Sequence, residues 1–238
     1  MIGRFHEVSV HAPDVLASLA FYERLGFTQV TAGEAWPYPY AAVADGRLTI
    51  GLHGRELPQS PILAFVLPGL RSRVEALERR GFVVTDRRLG DDVFNEASLE
   101  LAGQRLRLLE ARTHSPAPQG PGETSRLGWF EEFALPVADV GQAQAAWERL
   151  GFVPAEEGDE PYPHIGLTSD TLNVALLRAG ALPRPALLFS DADMPARIAK
   201  LAQSGLEFER RLPGGLDAAR HAMLVAPEGT QLLLTTAA

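Results

Sequence analysis

Tyr22-Glu23-Arg24-Leu25-Gly26-Phe27 is written a second time as Trp147-Glu148-Arg149-Leu150-Gly151-Phe152, an offset of 125 residues (22 to 147). At that offset Glu7 falls on Glu132 and Asp14 on Asp139. Pro37-Tyr38-Pro39 returns as Pro161-Tyr162-Pro163 and Gly81 as Gly205, both at 124, and Arg87-Arg88-Leu89 returns as Arg210-Arg211-Leu212 at 123. Markers that keep one order and drift by only two residues identify a tandem duplication. The junction, Thr113 to Ser125, holds three Pro and two Gly among small polar residues and reads as a linker. The expected division is residues 1–112, a linker over 113–126, and residues 127–238.

Each half alternates two periodicities. Val8 and Val10 point one way while Glu7, Ser9 and His11 point the other, the period of a half-buried strand. The same alternation sends His6 to the opposite face from Glu7, as a helix-packing residue. Val15, Leu19, Tyr22 and Leu25 then follow helical spacing until Gly26 stops the helix. Strands are expected at 41–44 and 47–52 around the Asp45-Gly46 turn. The grammar restarts inside the half with a strand at 62–67, a helix at 70–80, and strands at 83–85, 97–101 and 105–110. The chain therefore holds four strand-helix-strands units, an α+β pattern.

Composition narrows the function classes. The 238 residues are 46% hydrophobic and 22% charged, ordinary for a globular protein, with a formal charge of −8 and no basic cluster. That argues against nucleic acid and anionic membrane partners, which need Lys and Arg to neutralise phosphate. No cysteine is present, so disulfides, thiolate metal sites and a cysteine nucleophile are excluded. The N-terminus lacks a signal-peptide apolar run and no stretch approaches the ~20 apolar residues that span a bilayer. A cytoplasmic protein is expected, with homodimerisation left open.

The segment Glu7-Val8-Ser9-Val10-His11-Ala12-Pro13-Asp14, with Ser18-Leu19-Ala20-Phe21-Tyr22-Glu23-Arg24-Leu25-Gly26-Phe27, resembles the opening module of the vicinal oxygen chelate superfamily. That superfamily groups glyoxalase I, bleomycin-resistance proteins and extradiol dioxygenases. Ala226-Pro227-Glu228-Gly229-Thr230-Gln231-Leu232-Leu233-Leu234 resembles its closing turn and strand. The resemblance implies two cup-shaped, eight-stranded sheets, each made of two βαβββ modules, with helices outside and a ligand cleft on the concave face.

Metal-dependent members of that superfamily hold an ion with His, Gln or Glu from four strand positions per cup. Carried over, those positions are Glu7, Gly51, Ile62 and Arg107 in the first half and Glu132, Ala175, Ala186 and Leu233 in the second. Only one of the four in each cup can donate an electron pair, and an arginine repels a cation. Glu7 and His11 lie four residues, ~13 Å, apart on one strand and cannot share an ion; Glu7 and His53 could meet, but two ligands are too few. No metal or other cofactor is expected.

The first cup is polar where liganding would occur. Glu7, Ser9, His11, Thr49, His53 and Arg107 line it, and Trp36, Tyr38 and Tyr40 form an aromatic cluster beside it. Glu7 and Arg107 either form an internal ion pair or hold a ligand's charged groups, Glu7 then serving as a base if burial raises its pKa. The aromatic rings either stack on a planar ligand or pack the module edge. The second cup is more apolar, with Glu132, Tyr162 and Asn173 as polar exceptions. The expected function is metal-independent binding or sequestration of a small, aromatic molecule in the first cup. The alternative is a metal-dependent lyase, isomerase or dioxygenase with an atypical ligand set.

Overall fold

The computed structural model describes residues 2–30, 37–110, 125–159 and 161–237. The first half runs β1 (Arg4–His11), α1 (Val15–Arg24), β2 (Thr28–Val30), β3 (Tyr40–Ala44), β4 (Thr49–His53), β5 (Ile62–Leu67), α2 (Leu70–Arg79), β6 (Val84–Arg88), β7 (Glu96–Leu101) and β8 (Gln104–Glu110). The second runs β9 (Trp129–Val137), α3 (Val140–Leu150), β10 (Val153–Gly158), β11 (His164–Thr168), β12 (Asn173–Arg178), β13 (Ala186–Asp191), α4 (Met194–Gln203), β14 (Ala222–Val225) and β15 (Gln231–Thr236). Of the linker expected over 113–126, residues 113–124 lie outside the described residues, while the Arg126 amide donates to the Leu25 carbonyl at 2.8 Å.

The repeated aspartates start the repeated helices. Asp14 accepts a hydrogen bond from the Ala17 amide at 3.0 Å and Asp139 one from Gln142 at 2.9 Å, satisfying an amide that a helix start otherwise leaves without a partner. The repeated glycine ends them: Gly151 closes α3 at φ +113°, in the left-handed region, where a side chain would be strained.

The first sheet has the order β2-β3-β4-β1-β5-β8-β7-β6 and the second β10-β11-β12-β9-β13-β15-β14. Two strand quartets in the first, and a quartet and a triplet in the second, meet at a central antiparallel pair, β1 with β5 and β9 with β13. Each module closes with a parallel pair (β1 with β4, β5 with β8), which needs the helical crossover the sequence spacing anticipates. The second sheet departs from the eight strands expected: it has seven among the described residues. Where an edge strand would lie, Arg210-Arg211-Leu212 runs into Pro213 and a 3₁₀ turn, and a hydrogen bond from Glu209 N to Met223 O stands alone.

Both sheets turn their helical faces to a common interior. Val8, Val10, Tyr22 and Leu25 of the first half and Phe133, Leu135, Trp147 and Phe189 of the second belong to one continuous apolar core. Polar clamps repeat across the seam. Glu228, in the β14–β15 turn, accepts hydrogen bonds from Ser18 and Tyr22 of α1, each at 2.7 Å. Arg24 donates to the Ser204 and Gly205 carbonyls, both at 3.2 Å, beyond the end of α4. Its repeat partner Arg149 donates to the carbonyl of Arg80 beyond the end of α2, where a cation also suits the helix dipole. With the helices committed to this seam, the concave faces are left to the two cups.

Candidate functional site

The first cup is set by register. Glu7 of β1 lies opposite Ala64 of β5, which lies opposite Arg107 of β8, itself opposite Ser98 of β7. One step along, Ser9 lies beside Gly51 of β4 and Gly51 beside Ala42 of β3; one further, His53 lies beside Tyr40. These side chains share the concave face by the period-2 rule.

Glu7 is the centre of a buried hydrogen-bond network. Its Oε1 accepts from Ser9 at 2.6 Å and lies 3.1 Å from His53 Nε2, and its Oε2 accepts from Tyr40 at 2.7 Å. Tyr38 Oη lies 3.2 Å from the other imidazole nitrogen, His53 Nδ1. Glu7 is 2% exposed, and Ser9 and His53 are fully buried. Tyr38 and Tyr40 are half-buried at the mouth, with the Arg55 guanidinium 4.8 Å from the Tyr38 ring centre.

Burial alone pushes the Glu7 carboxyl up. The His53 hydrogen bond and charge, the His6 charge and the Ser9 hydroxyl outweigh it and hold the carboxyl at about 2. The raised pKa that would suit a general base is therefore not what this cup provides: Glu7 is a fixed anion. Burial, followed by the Glu7 charge, pushes the Tyr40 phenol up; burial also raises Tyr38, against the Arg55 and Arg107 charges. Both phenols keep their protons at neutral pH.

His6 corrects the alternation read from the sequence. The β1–β5 register shifts between Phe5 and Glu7: Phe5 pairs with Phe65 and Glu7 with Ala64, leaving His6 as a bulge residue. The bulge brings His6 Nε2 to 3.9 Å from Glu7 Oε2 instead of sending it to the helical face. Glu96, which the sequence did not single out, is the partner of Arg107, with Nε donating at 3.1 Å and Nη2 also donating. The Glu7–Arg107 pair expected from their positions is thus replaced by Arg107–Glu96 across β8 and β7. The available signal was Glu96's alternation with Ser98 on an inward face. Thr49 and His11 lie on the cup strands, but the hydrogen bonds joining Glu7, Ser9, Tyr38, Tyr40 and His53 do not include their side chains. Trp36 lies outside the described residues.

Gly51 has a steric role. A Cβ there would fall well within 3.0 Å of both Glu7 carboxylate oxygens, so the carboxylate occupies the volume that a side chain at this position would fill.

The second cup repeats the geometry without the network. Ala134 stands where Ser9 does, Leu177 where His53 does and Leu233 where Arg107 does. Ala134, Tyr162, Leu177, Leu188, Met223 and Leu233 pack together and fill the bowl. The bulge is retained, but its residue is Glu131. Burial pushes the Glu132 carboxyl up, His164 pulls it down and Glu131 pushes it up again; burial wins. Asn173 is exposed and bonds to Thr168 and to the Glu131 carbonyl, away from Tyr162. Because the folded carboxyl holds its proton more tightly than the unfolded one, Glu132 costs stability as pH rises above the unfolded value. Glu132→Leu is expected to gain about 1 kcal/mol at pH 7, with a smaller gain at pH 4, read from urea denaturation at the two pH values.

A separate depression of about 440 Å³ lies along α4, lined by Arg126, Asp191, Asp193, Arg197, Lys200 and Ser204. Arg197 pairs with Asp191 at 2.6 Å, and the mixed signs compensate one another. It adjoins neither cup.

The donor set of the first cup does not fit a divalent cation. One carboxylate and one imidazole are bonded to each other, the imidazole's second nitrogen is met by a phenol, and Arg107 stands at a position where a ligand would be needed. Among the described residues no three His, Asp or Glu side chains converge as a metal site would require.

The chain has the fold of extradiol dioxygenases. A variant of homoprotocatechuate 2,3-dioxygenase from Brevibacterium fuscum is 18% identical with a TM-score of 0.65, over 99% of this chain and 71% of that one. The 2,3-dioxygenase LapB from Pseudomonas sp. KL28 is 13% identical with a TM-score of 0.64, over 98% and 92%. A catechol 2,3-dioxygenase is 14% identical with a TM-score of 0.61, over 99% and 88%. No family model matches the chain, and no curated protein matches it. No helix among the described residues is long and apolar enough to cross a membrane.

Proposed function

We propose that the first cup binds a small, planar molecule without a metal ion, at a floor made by Glu7, Ser9 and His53 and a mouth made by Tyr38 and Tyr40. The observation that carries this reading is the difference between the two cups. The same backbone has kept a fully bonded polar network in one bowl and packed the other with Leu, Met and Ala. A fully satisfied polar network fixes its members in one arrangement, so the first bowl offers a preformed polar floor of the kind a small-molecule site needs. The half-buried tyrosine rings offer flat faces for stacking, and Arg55 and Arg107 favour a ligand bearing negative charge.

The second reading is a metal-dependent dioxygenase with an atypical ligand set. It is favoured by the shared fold, and by the 3.1 Å approach of Glu7 and His53, two donors of suitable type on adjacent strands. Elemental analysis of protein purified without added metal separates the readings. The expected result is less than a tenth of an equivalent of any transition metal, with calorimetry giving saturable heat for 3,4-dihydroxyphenylacetate or catechol in the presence of a chelator. A full equivalent of metal lost in Glu7→Gln would replace the first reading with the second.

A further inference from the structure

We propose that Tyr38 Oη is the atom through which the first cup takes a proton from its ligand, with His53 as the base behind it and Glu7 as the residue that positions His53. The inference rests on the reading above, that a planar molecule enters the cup beside Tyr38.

The order of the three groups follows from their protonation. Glu7 is ionised and can only accept, so His53 Nε2, 3.1 Å from it, must carry a proton. In the neutral imidazole the lone pair is then on Nδ1, and Tyr38 donates its phenolic proton to it across 3.2 Å. Tyr38, His53 and Glu7 thus stand as proton donor, base and orienting carboxylate, the same logic as a hydroxyl–imidazole–carboxylate triad. Tyr40 cannot take the first role, because its hydroxyl is spent on Glu7 itself. The fully buried Ser9 likewise bonds Glu7. Tyr38 alone among the network's hydroxyls is both half-buried at the mouth and joined to the base.

The step balances without a co-reactant. A ligand X–H gives its proton to Tyr38 Oη as the tyrosine's own proton passes to His53 Nδ1. The bonds broken are X–H and the original Tyr38 O–H; those formed are a new O–H and Nδ1–H. The electron pair stays on X as an anion. The imidazolium that results faces the Glu7 carboxylate, and the ligand anion faces the Arg55 and Arg107 charges. The other groups bearing on the pair are His6 and Tyr40, which face Glu7, and Glu96, which is held by Arg107. The Glu7 carboxylate, 3.1 Å from His53 Nε2, faces the imidazole that takes the proton, so the network works as a base. The ligand class is a planar molecule carrying one weakly acidic proton.

The test uses 4-nitrophenol, whose colour reports its ionisation, with binding measured independently by calorimetry. One pH unit below its own pKa about a tenth of the free probe is ionised. Bound to the protein, more than half should be. Tyr38→Phe and His53→Gln, each studied at probe concentrations that calorimetry shows to be saturating for that variant, should leave the bound probe neutral. Tyr38→Phe, at a half-buried ring, should keep the melting temperature within a few degrees, so loss of the colour change is not loss of the fold. In the ligand-free protein, nitrogen-15 resonances of His53 should place the proton on Nε2. Saturable heat with an unshifted band, a shift that survives Tyr38→Phe, or a proton on Nδ1 overturns the relay while leaving binding intact. Absence of saturable heat overturns the binding of planar molecules itself, and the relay with it.

Discussion

Glu7→Gln is expected to destabilise the folded chain by on the order of 3 kcal/mol at pH 7, with the loss vanishing in acid. The folded carboxyl titrates at about 2 against 4.5 for the free group, and each unit of difference is worth about 1.4 kcal/mol. Glu7 is 2% exposed, so water does little to screen this. The sign follows from linkage. A folded pKa below the unfolded one means that the unfolded chain binds the extra proton, so the stabilisation is complete above about 4.5 and is lost as pH falls through 2. The glutamine keeps the shape, but its amide supplies donors to a site where Ser9 and Tyr40 already donate. Urea denaturation of both proteins at intervals from pH 7 to pH 2 should show their stabilities converging below pH 4. A gap that stays constant with pH would mean that Glu7 acts through packing rather than charge.

Much of this was legible in the chain because duplication repeats what the fold needs. Asp14 and Asp139 cap equivalent helices, and Gly26 and Gly151 end them, at the spacing the repeat displays. The inward faces of β1 and β4 also followed from alternation, so Glu7, Ser9 and His53 could be placed in one cup. What alternation could not reveal was its own interruption. The bulge at His6 leaves no mark in residue type, since any residue can occupy it, and only the pairing of Phe5 with Phe65 exposes it. The partner of Arg107 was hidden for a different reason. Glu96 and Glu7 both lie inward on strands of the same sheet, and charge alone does not choose between them. The choice is made by His53, Ser9 and Tyr40, which already satisfy both Glu7 oxygens.

The two cups compare one buried glutamate in two environments. Glu7 has a hydroxyl, an imidazole and a phenol bonded to it and a histidine at the bulge; Glu132 has alanine and leucine at the first two places and a glutamate at the bulge. The backbone positions correspond and burial raises both carboxyls, the more so for the more deeply buried Glu7, so the opposite directions of their pKa shifts come from these neighbours. The polar cup is therefore a set of mutually dependent residues, and moving its central carboxylate should convert it toward the state of the other.

Gly51→Ala makes that move with one methyl group, and it is expected to cost about 1–3 kcal/mol and to abolish binding in the first cup. The new Cβ would lie well within 3.0 Å of both Glu7 oxygens. A carboxylate is the flexible end of its side chain and can swing away, so the clash itself is cheap to relieve. The cost arises because swinging away breaks the bonds from His53, Ser9 and Tyr40 and leaves buried donors without their acceptor. The second cup already contains this arrangement: Ala175 stands at the position of Gly51, beside a glutamate whose pKa is raised. In Gly51→Ala the Glu7 carboxyl should accordingly titrate above 4.5, so that its contribution falls as pH rises through and above 4.5, whereas that of the unsubstituted protein climbs from about 2 to 4.5. Carbon-13 NMR of the Glu7 carboxyl reads the titration directly, and calorimetry reads the binding. If Glu7 still titrated near 2 in the alanine variant, the network would not depend on the space above Gly51, and the contrast between the cups would need another cause.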